Sequence, residues 1–247
     1  MTTPHEEHLM STTSTVVLVH GAFADAASFS AVVPGLLAEG IDVVVPAVPN
    51  RSLIGDSAYI ASIVRQIEGP VLLVGHSYGG AVITVAGAED NVVGLVYLAG
   101  YALEEGESLA ELQGRFPDSD LATALVYRPY PIEGAEDGTD VYVDVEKFPA
   151  VFAEGVDPQL AKVLAVSQRP LAGAAFAEKA PVAAWKTKPS WGLVSVADHT
   201  INPDVERFGY SRAGMTVSEV ESSHLVMLAH PKAVVELIRD AVRATAQ

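Results

Sequence analysis

The chain has 247 residues, 49% of them hydrophobic, with 15 Lys and Arg against 31 Asp and Glu for a formal net charge of −16, and it contains no cysteine. Nucleic-acid binding needs clustered cations, so scattered ones under this acidic excess exclude a nucleic-acid partner, while the lack of cysteine excludes disulfides, thiolate nucleophiles and cysteine-ligated metals. No uninterrupted apolar run reaches the roughly 18 residues of a membrane span, so no membrane partner is expected and the apolar content points to a buried sheet.

In chain order, residues 1–14 read as a polar, acidic, disordered tail without the positive region and apolar core of a secretory signal, which gives a cytoplasmic expectation with Met10 as an alternative start. His5 and His8 lie three apart there, where a zinc-binding helix needs four, so no metal site is expected. Short β-branched strands then alternate with helices: strand 16–19, helix 28–39, strand 43–45, helix 57–67, strand 71–74, helix 81–88 and strand 92–98. With short Gly, Pro and Asp turns, this pattern predicts a parallel sheet built from crossover units.

Residues 103–188 change character, with Glu and Gly clusters, several prolines and their own aromatic residues. Alternation over 138–145 predicts the edge of a strand pair, and the spacing of Phe148, Val151 and Phe152 and of Leu160, Val163 and Leu164 predicts short helices. The alternation then resumes with strand 191–196, helix 203–212, strand 216–220 and helix 231–243. The fold expected is α/β, a mostly parallel sheet flanked by helices, with 15–102 and 189–247 as core and 103–188 as an insertion over one sheet edge.

Chemistry concentrates in Val71-Leu-Leu-Val-Gly-His-Ser-Tyr-Gly-Gly-Ala81. An apolar strand runs straight into a turn that puts Ser77 on a strand-to-helix corner, and Gly75 and Gly79 flank it by two on each side, where strand and helix must approach closely. Such a corner exposes a hydroxyl and aims backbone N–H groups at it, which is how a serine nucleophile is presented.

A serine is nearly inert at neutral pH, so a base and a group to orient that base are required. Among seven histidines, His5 and His8 fall in the tail, His20 and His76 fit the packing of turns, and His199 and His230 flank helix starts. His224, just past the strand at 216–220, is the candidate base. Asp198, in the loop after the preceding strand, is the candidate acid; Glu104 is the alternative position, and Asp204 reads better as first-turn helix charge. The chain order Ser, Asp, His differs from the chymotrypsin and subtilisin orders. For an oxyanion hole the backbone N–H of Tyr78 and that of Ala22, in the His20-Gly-Ala-Phe23 turn, are the candidates.

With these motifs on the page, the chain resembles the α/β-hydrolase superfamily over nearly its full length, and within it the small esterases of the plant methylesterase and hydroxynitrile lyase group. That resemblance implies a cofactor-free enzyme with Ser77 as nucleophile, His224 as base then acid, Asp198 as its orienting carboxylate and residues 103–188 as a cap that selects a small-molecule substrate. Lyases of this group resemble one another in a lysine directly after the histidine; here Leu225 stands there, and with Phe23 and Tyr78 it suggests an apolar pocket for an ester or lactone. An oxygenase or perhydrolase, an amide hydrolase, and a ligand receptor with a vestigial triad remain open on the same fold.

Overall fold

The computed structural model describes residues 14–246, and every structural statement below concerns those residues; His5, His8 and the rest of the expected tail except Ser14 lie outside them. The first half runs β1 (Thr15–Val19), α1 (Val33–Ala38), β2 (Val43–Val44), α2 (Leu53–Val64), β3 (Val71–His76), α3 (Tyr78–Ala86) and β4 (Val92–Leu98). Next come α4 (Leu109–Gln113), β5 (Leu125–Tyr130), β6 (Gly138–Val143), α5 (Phe148–Val151), α6 (Pro158–Val166) and β7 (Leu171–Ala172). The last part is β8 (Ser190–Ser195), α7 (Pro203–Arg212), β9 (Thr216–Val220), α8 (Val226–Ala229) and α9 (Pro231–Thr245).

Six strands form one parallel sheet in the order β2-β1-β3-β4-β8-β9. β3 is buried along its whole length, as a Val-Leu-Leu-Val strand covered on both faces must be, and burying each such side chain contributes about 1.5–3 kcal/mol. Gly94 and Leu95 show how the two faces are covered. Thr245 of α9 and the Trp191 ring crowd the first, whereas the second reaches Gly87 at the end of α3. Helices α1 and α9 therefore cover one face and α2, α3 and α7 the other. β9 closes the sheet with four of its five residues exposed, so it is an edge strand.

Local chemistry moves several boundaries from those expected. The stretch expected as one helix over 28–39 divides into a 3-10 turn at Ala26–Phe29, capped by the Asp25 carboxylate on the Ala27 N–H (2.8 Å), followed by α1. Pro34 sits in the first turn of α1, where its missing N–H costs nothing but where a continuous helix would break. Helix α2 starts four residues before the expected 57 because Ser52 Oγ accepts from Gly55 N–H at 3.1 Å, and α3 starts three residues before the expected 81, directly on the end of β3. The alternation at 138–145 becomes β6, ending at Val143 where the Asp144 side chain turns the chain by accepting from Glu146 N–H (2.9 Å). Its partner β5, antiparallel from Leu125↔Val143 to Tyr130↔Gly138, was hidden in the sequence by Pro129.

The segment between β4 and β8 thus carries a three-stranded sheet, β5-β6-β7, and is fastened to the parallel sheet by polar groups. Arg51 pairs with Asp140 at 2.6 Å, Ser52 Oγ donates to Glu178 at 2.8 Å, and Arg212 grips the buried Glu107 with Nη2 at 2.7 Å and Nη1 at 3.2 Å. Trp185, one of the aromatic residues of this segment, donates its Nε1–H to the Leu103 carbonyl at 2.8 Å.

Candidate active site

The carboxyl ends of β1, β3, β8 and β9 lie on one edge of the sheet, the place where open parallel sheets hold their ligands. Ser77 follows β3 immediately and takes φ 56° and ψ −122°, a conformation costly for a residue with a Cβ. The surroundings over-determine it. Its N–H donates to Leu98 O (3.1 Å), and its carbonyl accepts from Gly80 N–H (2.9 Å) and Tyr101 N–H (3.2 Å). A Cβ on Gly75 would lie 2.4 Å from Gly79 O, and one on Gly79 would lie 2.2 Å from Val19 O, so strand and helix touch backbone to backbone. The Ser77 side chain makes no cap to α3, which leaves its hydroxyl available.

Across the edge, His224 is fully buried and its Nδ1–H donates to Asp198 Oδ2 at 2.6 Å, both side chains being without solvent exposure. The other carboxylate oxygen, Oδ1, accepts from Thr200 N–H (2.6 Å) and Ile201 N–H (3.1 Å), so the 198–201 turn fixes the plane of the acid. With its Nδ1 proton given to Asp198, His224 presents a bare Nε2, which is buried and has no hydrogen-bond partner. Ser77 Oγ and His224 Nε2 therefore form no hydrogen bond in the structure. Of the two other acids weighed above, Glu104 is ion-paired with Lys186 (2.5 Å) and Asp204 with Arg207 (3.0 Å), and neither meets a histidine.

The turn after β1 lies against the serine: a Cβ on Gly21 would be 2.7 Å from Ser77 Cβ and 3.2 Å from Ser77 Oγ. Phe23 N–H is taken by Arg169 O at 2.9 Å, whereas the N–H groups of Ala22 and Tyr78 meet no acceptor among the described residues. His20 holds this turn. Its Nδ1–H donates to Gly21 O (2.9 Å) and its Nε2 accepts from Val48 N–H (2.9 Å), and burial pushes its pKa down to about 4, so the ring is neutral.

Two side chains do more than the sequence disclosed. His76, expected only to pack a turn, donates its Nε2–H to the carbonyl of His224 at 2.9 Å; burial first, then the neighbouring His224, hold it well below the ordinary histidine range. Phe152 lays its ring 4.9 Å from that of His224 and edge-on to Phe23 at 5.8 Å. The Tyr78 ring, by contrast, leaves the site: it is buried with its hydroxyl donating to Asp56 Oδ2 at 2.8 Å, so of this residue only the backbone N–H faces Ser77. Its companions in the expected apolar lining, Phe23 and Leu225, are buried at 4% and 1% exposure, which for Leu225 sets a neutral aliphatic group directly after the histidine. No cluster of three or more His, Asp or Glu able to hold a metal occurs among the described residues, and none of their helices is long and apolar enough to cross a membrane.

Comparison with known proteins identifies the family of the fold. Residues 16–237 match the family model described as alpha/beta hydrolase family. A pyrethroid hydrolase of Sphingobium wenxiniae is 35% identical over 101 residues, 35% of this chain and 36% of that protein, so the alignment spans about a third of that relative. The alpha/beta hydrolase nvfD of Aspergillus novofumigatus is 27% identical over 187 residues, 69% of each chain. Among solved structures, the methylesterase MES16 from Arabidopsis superposes with a TM-score of 0.78 at 16% identity, over 94% of this chain and 99% of that one, a likeness of fold.

Proposed function

The chain belongs to the alpha/beta hydrolase family, and from that premise we propose that it is a serine hydrolase that cleaves a carboxylic ester or lactone of a small apolar substrate through an acyl-enzyme. The observation that carries the reading is the buried His224–Asp198 pair, 2.6 Å apart, on the same sheet edge as a serine held at φ 56°. The names of the relatives, a pyrethroid hydrolase and a methylesterase, support an ester as substrate.

In the proposed mechanism Ser77 Oγ attacks the substrate carbonyl as its proton passes to His224 Nε2, the atom left without a partner. Asp198 keeps the imidazole in the required tautomer and offsets the positive charge that forms. The N–H groups of Ala22 and Tyr78 receive the developing oxyanion, each worth about 2.7–4 kcal/mol of transition-state stabilisation. His224 then protonates the leaving alcohol, and water repeats the sequence on the acyl-enzyme. No side chain in this scheme calls for a cofactor or metal. Residues 103–188 act as the cap, with Phe152 walling off the imidazole, and Leu225 offers no charge to stabilise a cyanide leaving group, which favours hydrolysis over cyanohydrin cleavage.

The test is intact mass after exposure to a fluorophosphonate. One adduct on the wild type, absent from Ser77→Ala and His224→Ala, is the expected result. A folded wild type that takes no adduct while hydrolysing no ester would overturn the reading.

A further inference from the structure

Glu206 is a carboxyl that the mechanism above does not use. It projects from α7 into the core with 1% exposure. Its Oε2 accepts the Ser195 N–H at 3.1 Å, while Oε1 is buried with no partner. Its neighbour is the side chain of Asp198, the acid that holds His224.

Two carboxylates buried side by side cannot both ionise without a cation between them. The surroundings supply none. Arg207, the nearest cation, is spent outside the core on Glu219 and Asp204. Tyr101 and Tyr210, which lie within the electrostatic reach of both acids, are phenols that burial keeps neutral; the Tyr101 hydroxyl donates to Gln113, Tyr210 Oη accepts the Gly100 N–H at 2.9 Å, and neither is hydrogen-bonded to the two carboxyls. Of the two acids, His224 meets only Asp198; its other titratable neighbour is His76, whose ring lies 4.6 Å away and is kept neutral by burial. One proton must therefore be shared between the two acids, and donor count decides its owner. Asp198 receives three donors, from Thr200, Ile201 and His224, and Glu206 receives one, from Ser195.

We propose that Glu206 carries that proton and donates it as a hydrogen bond from Oε1 to the Asp198 carboxylate, which makes it a positioning residue for the His224–Asp198 pair. Burial first and then the Asp198 charge push its pKa in the same direction, well above the ordinary glutamate range. The bond gives the unpartnered oxygen its function. It also drains part of the negative charge that Asp198 would otherwise place on the imidazole, so Glu206 sets the pH at which His224 becomes a free base. The inference rests on the hydrolase reading for its kinetic consequence, but the protonation itself does not.

Infrared difference spectra and pH–rate profiles of wild type, Glu206→Gln and Glu206→Leu test it. At neutral pH the wild type shows a protonated-carboxyl stretch that disappears in both variants. Glu206→Leu, which removes the donor, lowers kcat/KM about tenfold or more and moves the acidic limb of the profile upward by about one pH unit, while Glu206→Gln, whose amide still donates, restores most of the rate and the original limb. The proposal is overturned if the wild type lacks the protonated stretch, or if Glu206→Gln moves the acidic limb downward, as removal of an ionised neighbour would. Should Glu206→Leu not fold, the stretch and the Glu206→Gln profile decide alone. A wild type with the stretch but with neither a fluorophosphonate adduct nor ester hydrolysis would keep the proton assignment and sink the hydrolase reading instead.

Discussion

The Nε2–H of His76 reaches the carbonyl of His224 across 2.9 Å, and the two rings lie 4.6 Å apart. One histidine thus anchors the backbone of the other through a buried bond. Replacing His76 by leucine leaves that carbonyl without a donor, which costs about 1–3 kcal/mol, and frees the loop that aims Nε2. We expect a lower urea midpoint together with a fall in kcat/KM of about tenfold or more, KM changing less than kcat. Unaltered kinetics in a destabilised variant would mean that the loop is held well enough by its other contacts.

His20 and His76 are both buried and neutral, so acid should destabilise the fold. Their folded pKa values lie below the unfolded one, the unfolded chain therefore binds more protons, and stability is complete above about pH 6.5 and declines as the pH falls. For His20 the window runs from 6.5 down to about 4 and corresponds to about 3 kcal/mol, with His76 acting in the same direction. Urea unfolding at several pH values should show this slope, reduced in His20→Gln. A flat stability between pH 7 and 5 would refute it.

Gly79→Ala drives a methyl group to 2.2 Å from the Val19 carbonyl, backbone against backbone. Neither side is flexible, so β1 and α3 must separate and carry Ala22 and Ser77 apart. We expect a loss of activity of about a hundredfold or more in whatever protein folds, the scale seen when an oxyanion donor is lost. Fluorophosphonate labelling rate is the direct readout, and a wild-type rate would contradict the placement of the two donors.

Tyr78→Phe removes a buried hydroxyl from Asp56, whose carboxyl burial pushes above its usual range. The Arg51 N–H remains on that carboxylate at 3.1 Å. Thermal unfolding should report a loss of about 1–2 kcal/mol, with a decrease in kcat/KM far smaller than that of Ser77→Ala. A comparable decrease would show that the phenol serves the reaction itself.

The alternation of strands, the serine corner and the order Ser77, Asp198, His224 were legible because each rests on local chemistry: apolar period, turn glycines, and loops that follow strands. What stayed hidden depends on partners far along the chain. The strand at 125–130 was not among the expected elements; it contains Pro129, which an edge strand accommodates against β6. Tyr78 looked like pocket lining because its neighbour is the serine, but the first turn of α3 swings its ring toward Asp56 on α2. Glu206 sits eight residues after Asp198 in a helix rich in charge, and only the packing of α7 against β8 sets it apart from Asp204 and Arg207.

The pairing of β4 with β8 has a consequence for how the protein is made. Leu98 meets Leu193 only after roughly ninety intervening residues have been looped out, a closure that costs about 4 kcal/mol of chain entropy. The serine corner is built from residues that precede β8 in the chain, whereas Asp198 and His224 follow β8 and β9. On the proposed mechanism, a chain that ends before β8 therefore carries Ser77 without the base and acid assigned to it, and the complete set requires the far edge of the sheet to close.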